Sequence, residues 1–249
     1  MGAVSALYVF WYALITAIAT GFGAIPFLIF RKITSAWIGV FNAIAGGLML
    51  AASFSLIYEG ANYDLVRVMI GVLIGLFFIL ASHKLIKGRD DLKLGALQGV
   101  DAKKAVIIVG IMTLHSFTEG VGIGVSFGGG AVLGIFITIA IAVHNIPEGL
   151  AISSVLVPRG VSIWKSSLWS IFSSLPQPLM AVPAFLFVEA FRPILPVGLG
   201  FAGGAMIWMV YSEILPDALK ETSSNTVAIT MTLSIAAMIT FQVFLKLHS

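Results

Sequence analysis

Eight apolar stretches, each more than twenty residues long, follow one another with little between them, and they leave this chain few ways to fold. They cover about Ser5–Phe30, Ala36–Tyr58, Leu65–Ile86, Ala105–Phe127, Ala131–Val157, Ser166–Val188, Ile194–Leu215 and Thr226–Leu247. A helix needs roughly 20 apolar residues to cross a bilayer, and inside hydrocarbon the backbone has to satisfy its own hydrogen bonds. Composition agrees: 59% of the 249 residues are hydrophobic, 10% are charged and the mean hydropathy is +1.06, whereas a soluble domain carries about 25% charged residues. The chain reads as an all-α, polytopic membrane protein with eight transmembrane helices, forming a single transmembrane unit over residues 1–249. The first run is too long for a signal-peptide core and ends in Arg31-Lys32, as a retained span does. Cysteine is absent, which excludes disulfides and thiolate metal sites. The net charge of +3 does not point to nucleic acid, because the basic residues sit in short loops between apolar spans.

Those loops set the orientation. The loops after spans one, three, five and seven carry eleven of the 14 Lys and Arg residues: Arg31, Lys32, Lys84, Lys87, Arg89, Lys93, Lys103, Lys104, Arg159, Lys165 and Lys220. The opposite side carries three, Arg67, Arg192 and Lys246. Basic loops stay cytosolic, so both termini are expected on the non-cytosolic side, with the polar loop Lys87–Lys104 in the cytosol. Ala45-Gly46-Gly47-Leu48-Met49 in span two resembles Ala202-Gly203-Gly204-Ala205-Met206 in span seven. These spans run in opposite directions under this topology, so the match reads as an inverted repeat of the kind found in secondary transporters. The competing account is that Ala-Gly-Gly recurs wherever membrane helices pack closely.

Chemistry concentrates in spans four and five. His115-Ser116-Phe117-Thr118-Glu119-Gly120 and His144-Asn145-Ile146-Pro147-Glu148-Gly149 each place a His and a Glu four residues apart. On a helix that spacing is a rise of about 6 Å and a rotation of about 40°, so both side chains share a face. Ionisable groups inside a bilayer mark function by default, and imidazole with carboxylate suits a transition metal. The plainer alternative is a pair of buried helix-to-helix hydrogen bonds, yet unrelated contacts have no reason to repeat His-x-x-x-Glu-Gly. Glycine after each Glu lets a partner helix come close. Pro147 frees the carbonyl of Val143.

These motifs resemble the ZIP (Zrt/Irt-like) divalent metal transporters, and so do Gly47-Leu48-Met49-Leu50-Ala51-Ala52-Ser53, Gly204-Ala205-Met206-Ile207 and Glu213-Ile214-Leu215-Pro216. The resemblance covers nearly the whole chain. It implies a 3+2+3 helix arrangement, a metal site on spans four and five that often holds two ions, and metal movement toward the cytosol. His115, Glu119, His144 and Glu148 are then the principal ligands. Met49 is a thioether near the site, or simply core. Glu213 is an inner-path carboxylate, or a helix-end charge at the interface. Many relatives place Asn where Ser116 stands and a carboxylate where Asn145 or Gln177 stands. All three are neutral here, which predicts one tightly held ion. Glu59 and Asp64, at the outer end of span two, read as solvated charges before they read as an entrance. The expected cargo is a divalent ion, zinc first on the resemblance, with iron, manganese and cadmium as alternatives. No cofactor is expected. The bilayer is the other partner, and a homodimer is compatible.

Two other function classes compete. An intramembrane metallohydrolase would be expected to carry His-Glu-x-x-His, which the chain lacks, and His83 and His248 sit at membrane edges. A proton or cation carrier could use the same His and Glu as relays without metal.

Overall fold

The computed structural model describes residues 4–30, 34–87, 93–94 and 97–247. The helices are α1 (Ala6–Gly21), α2 (Ile25–Ile29), α3 (Ser35–Lys87), α4 (Gly99–Gly128), α5 (Ala131–Leu156), α6 (Ile163–Ser174), α7 (Pro176–Leu186), α8 (Val188–Phe191), α9 (Leu195–Met209), α10 (Leu215–Glu221) and α11 (Ser224–Leu247). The fold is all-α. The described residues add only a two-residue antiparallel ladder, Lys93–Leu94 against Leu97–Gln98, in the loop before α4.

Among the described residues, six helical stretches are long and apolar enough to cross a membrane. The difference from the eight expected has two local causes. The 53 residues of α3 would make a rod of about 80 Å, far longer than the roughly 30 Å hydrocarbon core. The rod is folded at Asp64, whose backbone is extended at φ −163°, ψ 107°. Asp64 Oδ1 accepts the Arg67 backbone N–H at 3.0 Å, an N-cap for the second leg, and its other oxygen lies 3.3 Å from Arg67 Nε. Asp64 is thus a helix cap and an ion-pair partner. Expected span six is broken at Leu175 into α6 and α7, of 12 and 11 residues, because Pro176 and Pro178 donate no backbone hydrogen bond.

Two further departures are local. α4 begins at Gly99, inside what reads as a polar loop, so Lys103 and Lys104 stand on its first turns. Expected span seven passes through a π turn at Val210–Ile214 between α9 and α10. Pro216 follows, and its ring excludes the regular bond to the carbonyl four residues back. Arg31, Lys32, Arg89 and His248 lie outside the described residues.

The helices sort into two groups by what they pack against. α3 packs chiefly on α9 and α11 and, across the division, on α5 about as much as on α10, while α4 packs on α7 and α5, and α1 on α5, α7 and α6. Glycines make the closest crossings: a Cβ on Gly200 would meet the Val68 carbonyl oxygen at 2.1 Å, and one on Gly71 the Val197 oxygen at 2.1 Å. Both Ala-Gly-Gly runs serve this purpose, since Gly47 abuts Met231 of α11 and Gly204 abuts Val72 of α3.

The two ends of the bundle differ. Toward the basic end, which carries Lys104, Arg159 and Lys220, one large apolar cluster including Met49, Ile108, Met112, Ile152, Leu156 and Met209 is almost fully buried. Toward the other end lies a cavity of about 530 Å³, reaching from Glu59 and Asn62 down to Glu119 and His144.

Candidate metal centre

Four side chains meet where the cavity ends on the packed half. His115 and Glu119 come from the middle of α4, His144 and Glu148 from the middle of α5, and the two helices lie side by side. All four are buried, from Glu148 at 0% to His144 at 9% exposure. Each offers one ligand atom, and the four atoms lie within 4.8 Å of one another, a grouping unique among the described residues. His115 Nε2 is 3.4 Å from Glu119 Oε1 and 3.0 Å from Glu148 Oε1; His144 Nε2 is 3.2 Å from Glu148 Oε1 and 3.9 Å from Glu119 Oε1. Zinc bonds of about 2.0–2.1 Å place tetrahedral ligand atoms about 3.4 Å apart, the middle of this range.

The donors converge without satisfying one another. Both Nε2 atoms and both Glu148 oxygens are buried and make no hydrogen bond, a costly arrangement for groups removed from water. A divalent cation between them would supply the missing partner. The imidazole rings stand 5.7 Å apart, tilted by 36°, so neither blocks the other. Close helix approach is what brings the set together: a Cβ on Gly149 would lie 1.7 Å from the Thr20 carbonyl oxygen, and one on Gly120 would lie 2.5 Å from the Gln177 carbonyl oxygen.

A family model described as ZIP zinc transporter matches residues 80–242. The chain belongs to the ZIP family. The zinc transporter GufA of Myxococcus xanthus is 32% identical over 222 residues, covering 83% of this chain and 86% of that protein. The zinc transporter ZIPB of Bordetella bronchiseptica is 31% identical over 243 residues, covering 88% and 75%. The Arabidopsis thaliana protein At3g08650, named only provisionally as a zinc transporter, is 50% identical over 230 residues, or 91% of this chain. This ZIP chain spans 37% of the length of that plant relative. ZIP proteins are transporters rather than enzymes, and with its apolar helices the chain is an integral membrane protein.

The other sequence-derived candidates surround the ZIP cluster at different removes. Ser116 is fully buried beside His115, its hydroxyl without a partner. Asn145 and Gln177 are fully buried and hydrogen-bond to each other at 3.0 Å; Gln177 Nε2 also donates to Glu119 Oε2 at 2.5 Å. Met49 is buried in the apolar half, its carbonyl accepting from Ser53 Oγ at 2.7 Å. Glu213 stands apart from the cluster, in the π turn at the basic end. There Lys104 Nζ lies 3.6 Å from Glu213 and pairs with Asp217, and His83 Nε2 lies 3.8 Å from Glu213. Sequence reasoning misses Thr16, whose hydroxyl donates to Gln177 Oε1 and whose carbonyl accepts from Asn145 at 2.8 Å. It also misses Lys104 and Asp217. The available signal for Thr16 is the pair Thr16 and Thr20, one helical turn apart in an otherwise apolar span.

Proposed function

We propose that the chain carries divalent transition-metal ions across a membrane, zinc first, by way of a four-ligand site made of His115, Glu119, His144 and Glu148. The observation that carries this reading is the cluster of unsatisfied donors with tetrahedral spacing at the floor of the cavity. Two nitrogens and two carboxylate oxygens favour zinc, cadmium, iron, manganese or cobalt over magnesium and calcium. The metal is cargo, and no cofactor takes part.

Movement is toward the cytosol. The basic-loop asymmetry puts the packed half on the cytosolic side, so the cavity faces outward with both termini on its side. Transport then requires the packed half to open as the cavity closes. The two helix groups supply a natural division, with α1, α4, α5, α6 and α7 carrying the site past α3, α9, α10 and α11 around a midplane position, as inverted-repeat transporters do. Residues 1–249 act as one transmembrane unit. Glu213 lies on the route out, and Met49 borders the site from the packed side.

The test is uptake into proteoliposomes of zinc, cadmium, manganese, cobalt, magnesium and calcium, with Glu148→Ala alongside. Saturable zinc uptake that the variant abolishes is expected. Magnesium uptake at the zinc rate, or full activity in the variant, would refute the reading.

A further inference from the structure

Glu119 reaches the ligand cluster through Oε1 alone, because Oε2 accepts the N–H of Gln177. Behind Gln177 the hydrogen bonds continue in one sense. Gln177 Oε1 accepts from Asn145 Nδ2 and shares the one proton of the Thr16 hydroxyl with the Ala13 carbonyl, which lies 2.7 Å from that hydroxyl, and Asn145 Nδ2 also donates to the Thr16 backbone carbonyl at 2.8 Å. Thr16, Asn145 and Gln177 are each 0% exposed and Glu119 is 4% exposed. A side-chain amide can face either way, but a backbone carbonyl can only accept. The Thr16 carbonyl therefore fixes the nitrogen of Asn145. The second N–H of that amide fixes the oxygen of Gln177, and the other end of Gln177 must then present N–H to Glu119. The polarity of the chain is imposed by the main chain of α1 and transmitted to a carboxylate on α4.

We propose that Thr16, Asn145 and Gln177 are positioning residues, an orientation relay that holds Glu119 as a one-oxygen ligand and restricts the site to a single divalent ion. The inference rests on the metal-transport reading above. An amide N–H cannot coordinate a cation, and its positive end occupies the side of Glu119 Oε2 from which a second ion would bridge. One divalent ion balances the Glu119 and Glu148 charges, and the neutral relay offers nothing to balance another. Partners behind a ligand typically change metal affinity 10–100-fold when removed, and by orienting the ligand they set its geometry.

The experiment uses the full chain in detergent, with zinc dialysis for stoichiometry and affinity and cobalt absorption for geometry. Wild-type protein should bind one ion per chain and give the intense visible bands of four-coordinate cobalt. Gln177→Leu removes the donor, so Glu119 turns its second oxygen onto the ion. The cobalt bands should then weaken several-fold and zinc affinity should fall about 10–100-fold. Thr16→Ser should match wild type and Thr16→Val should fall between, a split that simple loss of packing would not produce. Gln177→Glu should admit a second ion. Two equivalent ions in the wild type, or a Gln177→Leu variant with unchanged spectrum and affinity, overturns the relay. In that second case a Glu148→Ala variant that no longer binds leaves the parent reading standing. A wild type that binds neither metal removes both.

Discussion

Alanine at position 149 tests whether the approach of α1 to α5 builds the site. The new Cβ would sit 1.7 Å from the Thr20 carbonyl oxygen, whereas real Cβ atoms essentially never come closer than 3.0 Å, so the helices must part by at least about 1.3 Å. Gly23 leaves no room on the same crossing, its own Cβ position being 2.1 Å from Leu150 N. Thr16 lies one turn before Thr20, and an equal shift there would stretch its 2.8 Å bond to Asn145 to about 4 Å, beyond hydrogen-bonding range. Overpacking costs about 1–3 kcal/mol, and the stranded Asn145 amide adds about 1–3 kcal/mol. With the relay broken, zinc affinity should fall about 10–100-fold, although residue 149 touches no metal. The assay is zinc competition dialysis with thermal melting in detergent. Gly110→Ala is the control, since nothing lies within 4 Å of a Cβ there. Wild-type affinity in Gly149→Ala, or equal impairment of both variants, would refute the reasoning.

Lys104 ties α4 to the Glu213 and Asp217 carboxylates of the other helix group across a largely buried interface. Lys104→Gln should loosen the basic end and raise thiol labelling at Ile108→Cys several-fold; unchanged labelling would dismiss the tie. In the cysteine-free, metal-free chain, Ser126→Cys in the cavity should react readily and Ile152→Cys in the packed half should not. Equal reactivity would contradict the division into an open and a packed half. Zinc binding should weaken steadily on acidification, because both histidines must be neutral and both carboxylates ionised to coordinate. Dialysis across acidic and neutral buffers reads this directly, and a flat profile would reject the ligand set.

The grouping of the two histidines and two glutamates was legible because its information is local. A four-residue spacing fixes a shared helix face, and the His-x-x-x-Glu-Gly repeat marks two neighbouring helices. The relay was not legible, because its bonds join residues 129 and 161 positions apart, and a threonine in an apolar span carries no sign of which amide it orients. Asn145 and Gln177 stood out as polar residues inside spans, but composition could not say whether they face the ion or each other. The apolar runs located the long helices but could not show that expected span six breaks in two or that α3 folds at a capped aspartate, since Asp64 looks like any loop carboxylate until its bond to Arg67 is seen. Glu213 could be placed near a helix end, while its lysine and histidine neighbours come from α4 and α3.

The cavity above the ligands has a consequence for how the ion loses its water. At about 30 Å³ per molecule, 530 Å³ accommodates roughly 18 waters, enough for a hexahydrated ion with solvent to spare. An arriving cation therefore has no reason to shed its shell on the way in. On the proposed transport reading, dehydration is deferred to one place, where the two imidazoles and two carboxylates would replace the aqua ligands. On that reading discrimination between ions follows ligand-exchange chemistry rather than ionic radius, and a tight-shelled ion such as magnesium would be rejected at the floor of the cavity and not at its mouth.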